Sequence, residues 1–140
     1  MGYLLDTNVL SELRKGSRAH PAVRAWADAY RKASHHISVL ALGEIRKGIA
    51  ILRRRSPEQA AVFASWLETL KSEYPPEILP ITMTVLERWG ELQGVRSLPV
   101  IDGLIAATAL EHGLILATRN VGDFGRLGLK IVNPFDDSIP

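Results

Sequence analysis

Short apolar runs alternate with longer amphipathic stretches along most of the chain. Tyr3-Leu4-Leu5 is apolar and meets Asp6-Thr7, the pattern of a buried strand ending at a helix cap. Thr7–Arg14 follows as one or two helical turns, closed by Lys15-Gly16. Pro21, tolerated in a first helical turn, opens a helix to about Lys32, with Val23, Trp26, Ala27 and Tyr30 along one stripe. His36-Ile37-Ser38 is a second expected strand, and Ser38 caps a helix reaching about Arg53. Ser56-Pro57-Glu58 restarts a helix that runs to Glu73, where Pro75-Pro76 stops it. Ile78–Ile81 reads as a third strand and Thr82–Val95 as a helix. Ile101–His112 is a helix apolar nearly all round, hence deeply buried. Gly113 ends it, Leu114–Ala117 and Lys130–Val132 are the last strands, and Asn133–Pro140 reads as a loose tail.

Short apolar strands separated by helices pair in parallel and are covered on both faces. The expected fold class is therefore α/β, a three-layer α/β/α sandwich with a mainly parallel central sheet of about five short strands. No repeat or linker divides it, so residues 1–133 are expected to form one domain and 134–140 a tail. In such sheets ligands bind beyond the C-terminal ends of the strands. Asp6 follows the first strand, and Thr118, Asn120 and Asp123 follow the fourth, so both groups fall at that edge.

Composition narrows the chemistry. The 140 residues are 46% apolar and 23% charged, with no cysteine. That excludes disulfide frameworks, thiolate zinc sites and cysteine nucleophiles, and argues against disorder. No apolar run approaches the ~18 residues of a membrane helix, so a cytoplasmic chain with no membrane partner is expected. The net charge of +2 hides an asymmetry: residues 1–55 carry +7 and residues 56–140 carry −5. Arg46, Lys47, Arg53, Arg54 and Arg55 form the densest basic cluster, which suits a polyanion. A solvated helix face whose arginines complement the helix dipole explains the same residues without a ligand.

Three acids stand in unusually apolar surroundings: Asp6, Glu44 and Asp102. Buried carboxylates are costly unless paired, hydrogen-bonded or bound to a metal. Asp6 and Asp102 each have an alternative role as helix caps. Glu44 is harder to explain that way. With Leu42, Ile45, Ile49 and Leu52 as the core stripe of its helix, Glu44 falls at the stripe's border, beside the small Ala41 and Gly48. Carboxylates converging on one point need a cation or proton between them, and hard oxygen ligands favour Mg²⁺, with Mn²⁺ second. Such an ion activates water and steadies a phosphate, so acids, metal and a basic surface together point to phosphodiester hydrolysis.

These segments carry a resemblance. Leu4-Leu5-Asp6-Thr7-Asn8-Val9-Leu10-Ser11-Glu12, Glu44-Ile45-Arg46-Lys47-Gly48, Ile101-Asp102-Gly103-Leu104-Ile105-Ala106-Ala107-Thr108-Ala109 and Leu116-Ala117-Thr118-Arg119-Asn120-Val121-Gly122-Asp123-Phe124 occur in order over nearly the whole chain. The chain resembles PIN-domain proteins of the VapC type, the toxin half of bacterial toxin–antitoxin pairs, and more narrowly their FitB-like branch. The resemblance implies a metal-dependent endoribonuclease in which Asp6 and Asp102 bind the ion, and Glu44 is a ligand through water or a base orienting the attacking water. Asn120 stands where the pattern commonly carries Asp, and Asp123 follows one turn on, so the fourth acidic position is open between them. Thr7, Asn8 and Thr118, with Asn120, correspond to positions that orient the carboxylates. Arg46 and Lys47 are the candidate RNA contacts. The implied partners are an RNA substrate, a small antitoxin that occludes the site with an Arg entering the acidic pocket, and a second copy of the chain in a homodimer. A silent module that binds RNA or antitoxin without cutting is the alternative, with Asn120 its best argument.

Other features are weaker. His35 and His36 face opposite sides of a strand, and no metal spacing links His20 or His112 to them. Trp26, Trp66 and Trp89 lie in expected helices, either in the core or at interfaces. There is no Gly-x-Ser-x-Gly elbow and no phosphate-binding glycine loop.

Overall fold

Strand ends and helix caps coincide, and this sets the geometry of the molecule. The computed structural model describes residues 2–30, 34–74 and 77–136. β1 (Tyr3–Leu5) runs into Asp6, the N-cap of α1 (Thr7–Leu13). A 3₁₀ turn at Gly16–Arg18 precedes α2 (Pro21–Ala29). β2 (His35–Ser38) ends on Ser38, whose hydroxyl accepts from Leu40 N at 3.0 Å and caps α3 (Val39–Arg53). After α4 (Pro57–Glu73) comes β3 (Ile78–Leu79), then Thr82, which caps α5 (Met83–Val95) by accepting from Val85 N at 3.2 Å. α6 (Val100–His112) closes on Gly113 at φ 62°, a left-handed cap that costs glycine nothing sterically. β4 (Ile115–Ala117), a 3₁₀ turn at Val121–Phe124 and β5 (Ile131–Val132) complete the chain.

The five strands lie in the order β3-β2-β1-β4-β5, every neighbouring pair parallel. Side-chain alternation along a strand divides the core in two. Leu4 and Leu116 face one way, joining Val85, Leu92, Ile105 and Phe124 under α5 and α6. Leu5 and Ala117 face the other, joining Val9, Leu10, Trp26, Ile45 and Ile49 under α1 to α4. The α/β/α sandwich with five short parallel strands is the expected fold. Each fully buried Leu or Ile contributes roughly 1.5–3 kcal/mol of transfer free energy.

The differences are local. β3 stops at Leu79 rather than Ile81, because Pro80 has no N–H for the ladder; Ile81 packs against the core instead. α2 ends at Ala29 with Tyr30 as its cap, and Arg31 and Lys32 lie outside the described residues. The buried stripe of α3 is Ala41, Ile45 and Ile49, whereas Leu42 and Leu52 are half-buried, so the helix is rolled towards Ala41. In α6 every residue from Gly103 to Ala109 is buried, as its apolar composition predicts. Of the tail, Asn133–Asp136 turn back on the body: Pro134 is buried, and Phe135 lies under the Arg119 guanidinium at 4.0 Å and edge-on to His20 at 5.7 Å.

Three of the four histidines have structural occupations. His35 stacks on Trp26 at 5.5 Å, and burial holds its imidazole below the ordinary histidine range. His36 Nε2 meets Ser34 Oγ at 2.9 Å, and His20 Nδ1 caps α2 by accepting from Ala22 N at 3.1 Å. Trp26 is core, while Trp66 and Trp89 are half-buried.

Candidate active site

The central strands β1 and β4 end side by side, and both leave polar residues at the same edge. Asp6 N donates to Ala117 O at 2.9 Å, which continues the β1–β4 ladder one step beyond the strands. This brings Thr118 to Asp6 across 112 residues of sequence: Thr118 Oγ1 donates to Asp6 Oδ2 at 2.8 Å. Thr118 is fully buried and Asp6 only 8% exposed. Asp6 Oδ1 accepts from Thr7 N at 2.8 Å, so the cap role and a site role coincide in one carboxylate. Asn8 braces the pair, its Nδ2 within 3.4 Å of both Asp6 Oδ2 and Thr118 Oγ1, and its Oδ1 accepts from Arg119 N at 3.2 Å. Thr118 Oγ1 also accepts from Asn120 N at 3.1 Å. Each buried polar atom of this corner thus has a partner.

Glu44 joins from α3. Thr7 Oγ1 donates to Glu44 Oε1 at 2.8 Å, so consecutive residues of α1 and its cap, Asp6 and Thr7, tie two acids into one edge. Glu44 itself is exposed and separates two grooves. One, of about 250 Å³, runs over Thr7, Ser11, Ile49, Phe63 and Trp66; the other, of about 520 Å³, over Val39, Lys47, Ile51 and Ile101. Gly48 lines both, as the small residues around Glu44 suggest.

Asp102 occupies the first turn of α6 but does not cap it. Pro99 is the N-cap residue, and the Asp102 carboxylate accepts no hydrogen bond from any described residue. Its position is fixed by the backbone beside it. A Cβ on Gly103 would come within 2.9 Å of Trp89 Cδ1 and 2.8 Å of Gln93 Nε2, so only glycine lets α6 approach α5 this closely. Gln93 clamps the connecting loop, accepting from Leu98 N at 3.1 Å and donating to Leu98 O at 3.2 Å. Burial, then the charge of Asp6, then that of Asp123 raise the Asp102 carboxyl above the ordinary aspartate range.

Asp102 therefore feels Asp6 and Asp123 as like charges. Asp123 is exposed on the 3₁₀ turn, whose backbone is closed by Asp123 N donating to Asn120 O at 3.2 Å. The Asn120 side chain forms no cap bond to this turn. Among the described residues no three His, Asp or Glu side chains are grouped closely enough to hold one ion between them, and Glu44 is occupied with Thr7. The donor set nevertheless fits a hard divalent ion, which is bound by one or two carboxylates and keeps several waters. An unpartnered Asp102 carboxylate under repulsion from Asp6 and Asp123 is what such an ion would relieve.

The basic candidates separate. Arg46 is engaged with Glu68 at 3.7 Å, both exposed, whereas Lys47 lines the larger groove beside Glu44. Sequence reasoning missed Gly103 as a packing determinant and passed over Arg96 and Arg126, which flank the turn carrying Asp123. The glycine spacing Gly122, Gly125, Gly128 around Arg126 was the available signal.

Comparison with known proteins agrees with this architecture. The PIN domain model matches residues 3–129. The chain belongs to the PIN-domain family, as a VapC-type homologue of ribonuclease toxins. It is 36% identical to VapC ribonuclease Y4jK of Sinorhizobium fredii over 95% of this chain and 97% of that protein. Among solved structures it resembles FitAB bound to an IR36 DNA fragment, with TM-score 0.83 and 28% identity over 96% of each chain. A toxin–antitoxin complex from Klebsiella pneumoniae matches with TM-score 0.66 and 27% identity, over 96% of this chain and 98% of that one. No helix among the described residues is long and apolar enough to cross a membrane.

Proposed function

We propose that this chain is a divalent-metal-dependent endoribonuclease, the toxin of a toxin–antitoxin pair, with its catalytic centre at the Asp6 edge of the sheet. The observation that carries the reading is the contrast within one acidic edge: an Asp6 carboxylate fixed by donors beside an Asp102 carboxylate that has none and is pushed up by its neighbours. Asp6 and Asp102 are the residues that would hold Mg²⁺, or Mn²⁺ in its place. When bound, such an ion supplies a polarised phosphate oxygen and a more acidic water. Thr118, Asn8 and Thr7 N hold Asp6 in one orientation. Thr7 Oγ1 occupies one oxygen of Glu44 and leaves the other free to accept a proton from an attacking water. Asp123, on its exposed turn, supplies the fourth negative charge, and Asn120 N helps fix Thr118. Lys47 is the better placed of the two α3 candidates for RNA phosphate, Arg46 being engaged with Glu68.

A small antitoxin is the proposed partner, lying along the grooves on either side of Glu44 and setting a cation against the carboxylates. The similarity to the toxin–antitoxin complex from Klebsiella pneumoniae supports it. Exposed apolar side chains, among them Met83 at 77% and Val100 at 57%, support a homodimer. The test is cleavage of total cellular RNA by purified, antitoxin-free protein with Mg²⁺, with Mn²⁺ and with EDTA, beside Asp6→Asn. Discrete fragments that require metal and vanish in Asp6→Asn are expected. Absence of cleavage with RNA binding intact would make the chain a silent binding module, and cleavage surviving EDTA would overturn the metal mechanism.

A further inference from the structure

An acidic centre repels a polyanionic substrate unless unpaired cations stand beside it, so the distribution of free positive charge near the site is informative. Residues 56–140 are net acidic, and several of their cations are already engaged. Lys71 pairs with Glu68 at 3.2 Å, Arg88 with Glu111 at 2.9 Å, and Arg119 lies on the Phe135 ring. Arg96 and Arg126 differ. They line a cleft of about 470 Å³ whose other walls are Gly122 and Gly125, with no carboxylate among its lining residues. Arg96, at the end of α5, donates Nη1 to Gly125 O at 3.1 Å and Gly122 O at 3.4 Å, clamping the turn from both sides of Asp123. The Arg126 guanidinium is exposed and makes no hydrogen bond or ion pair with any described residue.

The backbone sharpens the case. Arg126 has φ 69°, and no other non-glycine residue among those described has positive φ. Phe124 and Leu127, exposed by 1% and 8%, anchor the segment on either side and hold it in that conformation. Glycine would suit this position without strain, yet the chain carries its unpaired arginine here.

We propose that the Arg96–Arg126 cleft binds a backbone phosphate of the RNA next to the one that is cut. This rests on the ribonuclease reading and extends it. Arg126 supplies the free guanidinium fork, and Arg96 holds the wall of the cleft and the Asp123 turn in one piece. The cleft is open, charged and without base-sized apolar surface, so it reads the strand by charge and adds affinity without sequence preference.

Arg126→Gly tests this, because the structural and functional roles move in opposite directions. Relief of the positive φ raises Tm by about 1–3 °C. In a non-cleaving Asp6→Asn background, the same substitution weakens binding of a single-stranded RNA oligonucleotide roughly three- to tenfold at low salt. The slope of log affinity against log salt flattens by about 0.7, one phosphate contact on a single strand. Arg126→Lys keeps the slope. If Arg126→Gly raises Tm but leaves RNA affinity and slope unchanged, while the otherwise wild-type protein still cuts RNA, the cleft is not a phosphate site and the ribonuclease reading stands. If it weakens capture of the co-expressed antitoxin and not of RNA, the cleft belongs to an acidic protein segment and the proposal is overturned. An Asp6→Asn protein that binds no RNA, beside a wild-type protein that cuts none, overturns both readings.

Discussion

Asp6 and Asp102 face the same edge and are built in opposite ways. Asp6 is nearly buried, yet it accepts from Thr7 N, Thr118 Oγ1 and Asn8 Nδ2, so its charge is distributed over donors that belong to the fold. Asp102 is more open, accepts nothing from the described residues, and is raised by burial, Asp6 and Asp123 together. Preorganised donors make Asp6 a fixed oxygen with a set orientation. The missing donors make Asp102 a charge the protein alone does not satisfy. On the proposed reading, a cation held beside these two carboxylates would offset the repulsion that raises Asp102.

The largest effects come from removing either charge, and the two variants separate by sign. Asp6→Asn and Asp102→Asn are each expected to lower RNA cleavage by about a hundredfold or more. Their stabilities in EDTA diverge. Asp6→Asn sets an amide N–H₂ against the Thr118 hydroxyl and costs about 1–2 kcal/mol. Asp102→Asn stabilises at neutral pH. A carboxyl raised in the folded state contributes its stability below the unfolded aspartate range and loses it as pH rises through the folded value. The wild-type Tm therefore falls relative to Asp102→Asn as pH rises through and above the ordinary aspartate range. Melting curves across that range check it, and a less stable Asp102→Asn protein at pH 7 would contradict the repulsion.

A smaller contrast distinguishes Asp123 from Asn120. Asp123 contributes to the field at Asp102, so Asp123→Asn is expected to lower cleavage about 10- to 100-fold and move the acid limb of the pH–rate profile to lower pH. Asn120→Ala keeps the Asn120 N to Thr118 bond, which is backbone, and leaves cleavage within about threefold. Equal losses in the two variants would place the fourth function on both residues.

Legibility followed locality. Apolar periodicity revealed the strands, the helices and the buried α6, because each is written in neighbouring residues. Asp6, Thr7, Asn8 and Thr118 were legible as candidates, but the bond between Asp6 and Thr118 depends on β1 and β4 being neighbours, a fact of sheet order that no local window contains. Asp102 does not cap α6, because Pro99 is the N-cap residue and Asp102 falls inside the first turn. Ile81 is apolar for core packing, not pairing, and Pro80 decides where the β3 ladder ends. The positive φ of Arg126 and the Arg96 clamp exist only in the folded chain.

A smaller predicted loss lies at Thr7, where Asp6 is linked to Glu44. Thr7 gives its backbone N to Asp6 and its hydroxyl to Glu44, so it couples the buried acid to the exposed one. Thr7→Val keeps the first bond and removes the second. Stability changes by at most about 1 kcal/mol, because Glu44 is exposed and water replaces the lost donor. Glu44 is then free to rotate away from an attacking water, and kcat is expected to fall by roughly three- to tenfold with KM for RNA unchanged. Thr7→Ser restores the hydroxyl and the rate. A matching loss in Thr7→Ser, or a change confined to KM, would mean that Glu44 acts in RNA binding and that the Thr7 hydroxyl serves only the start of α1.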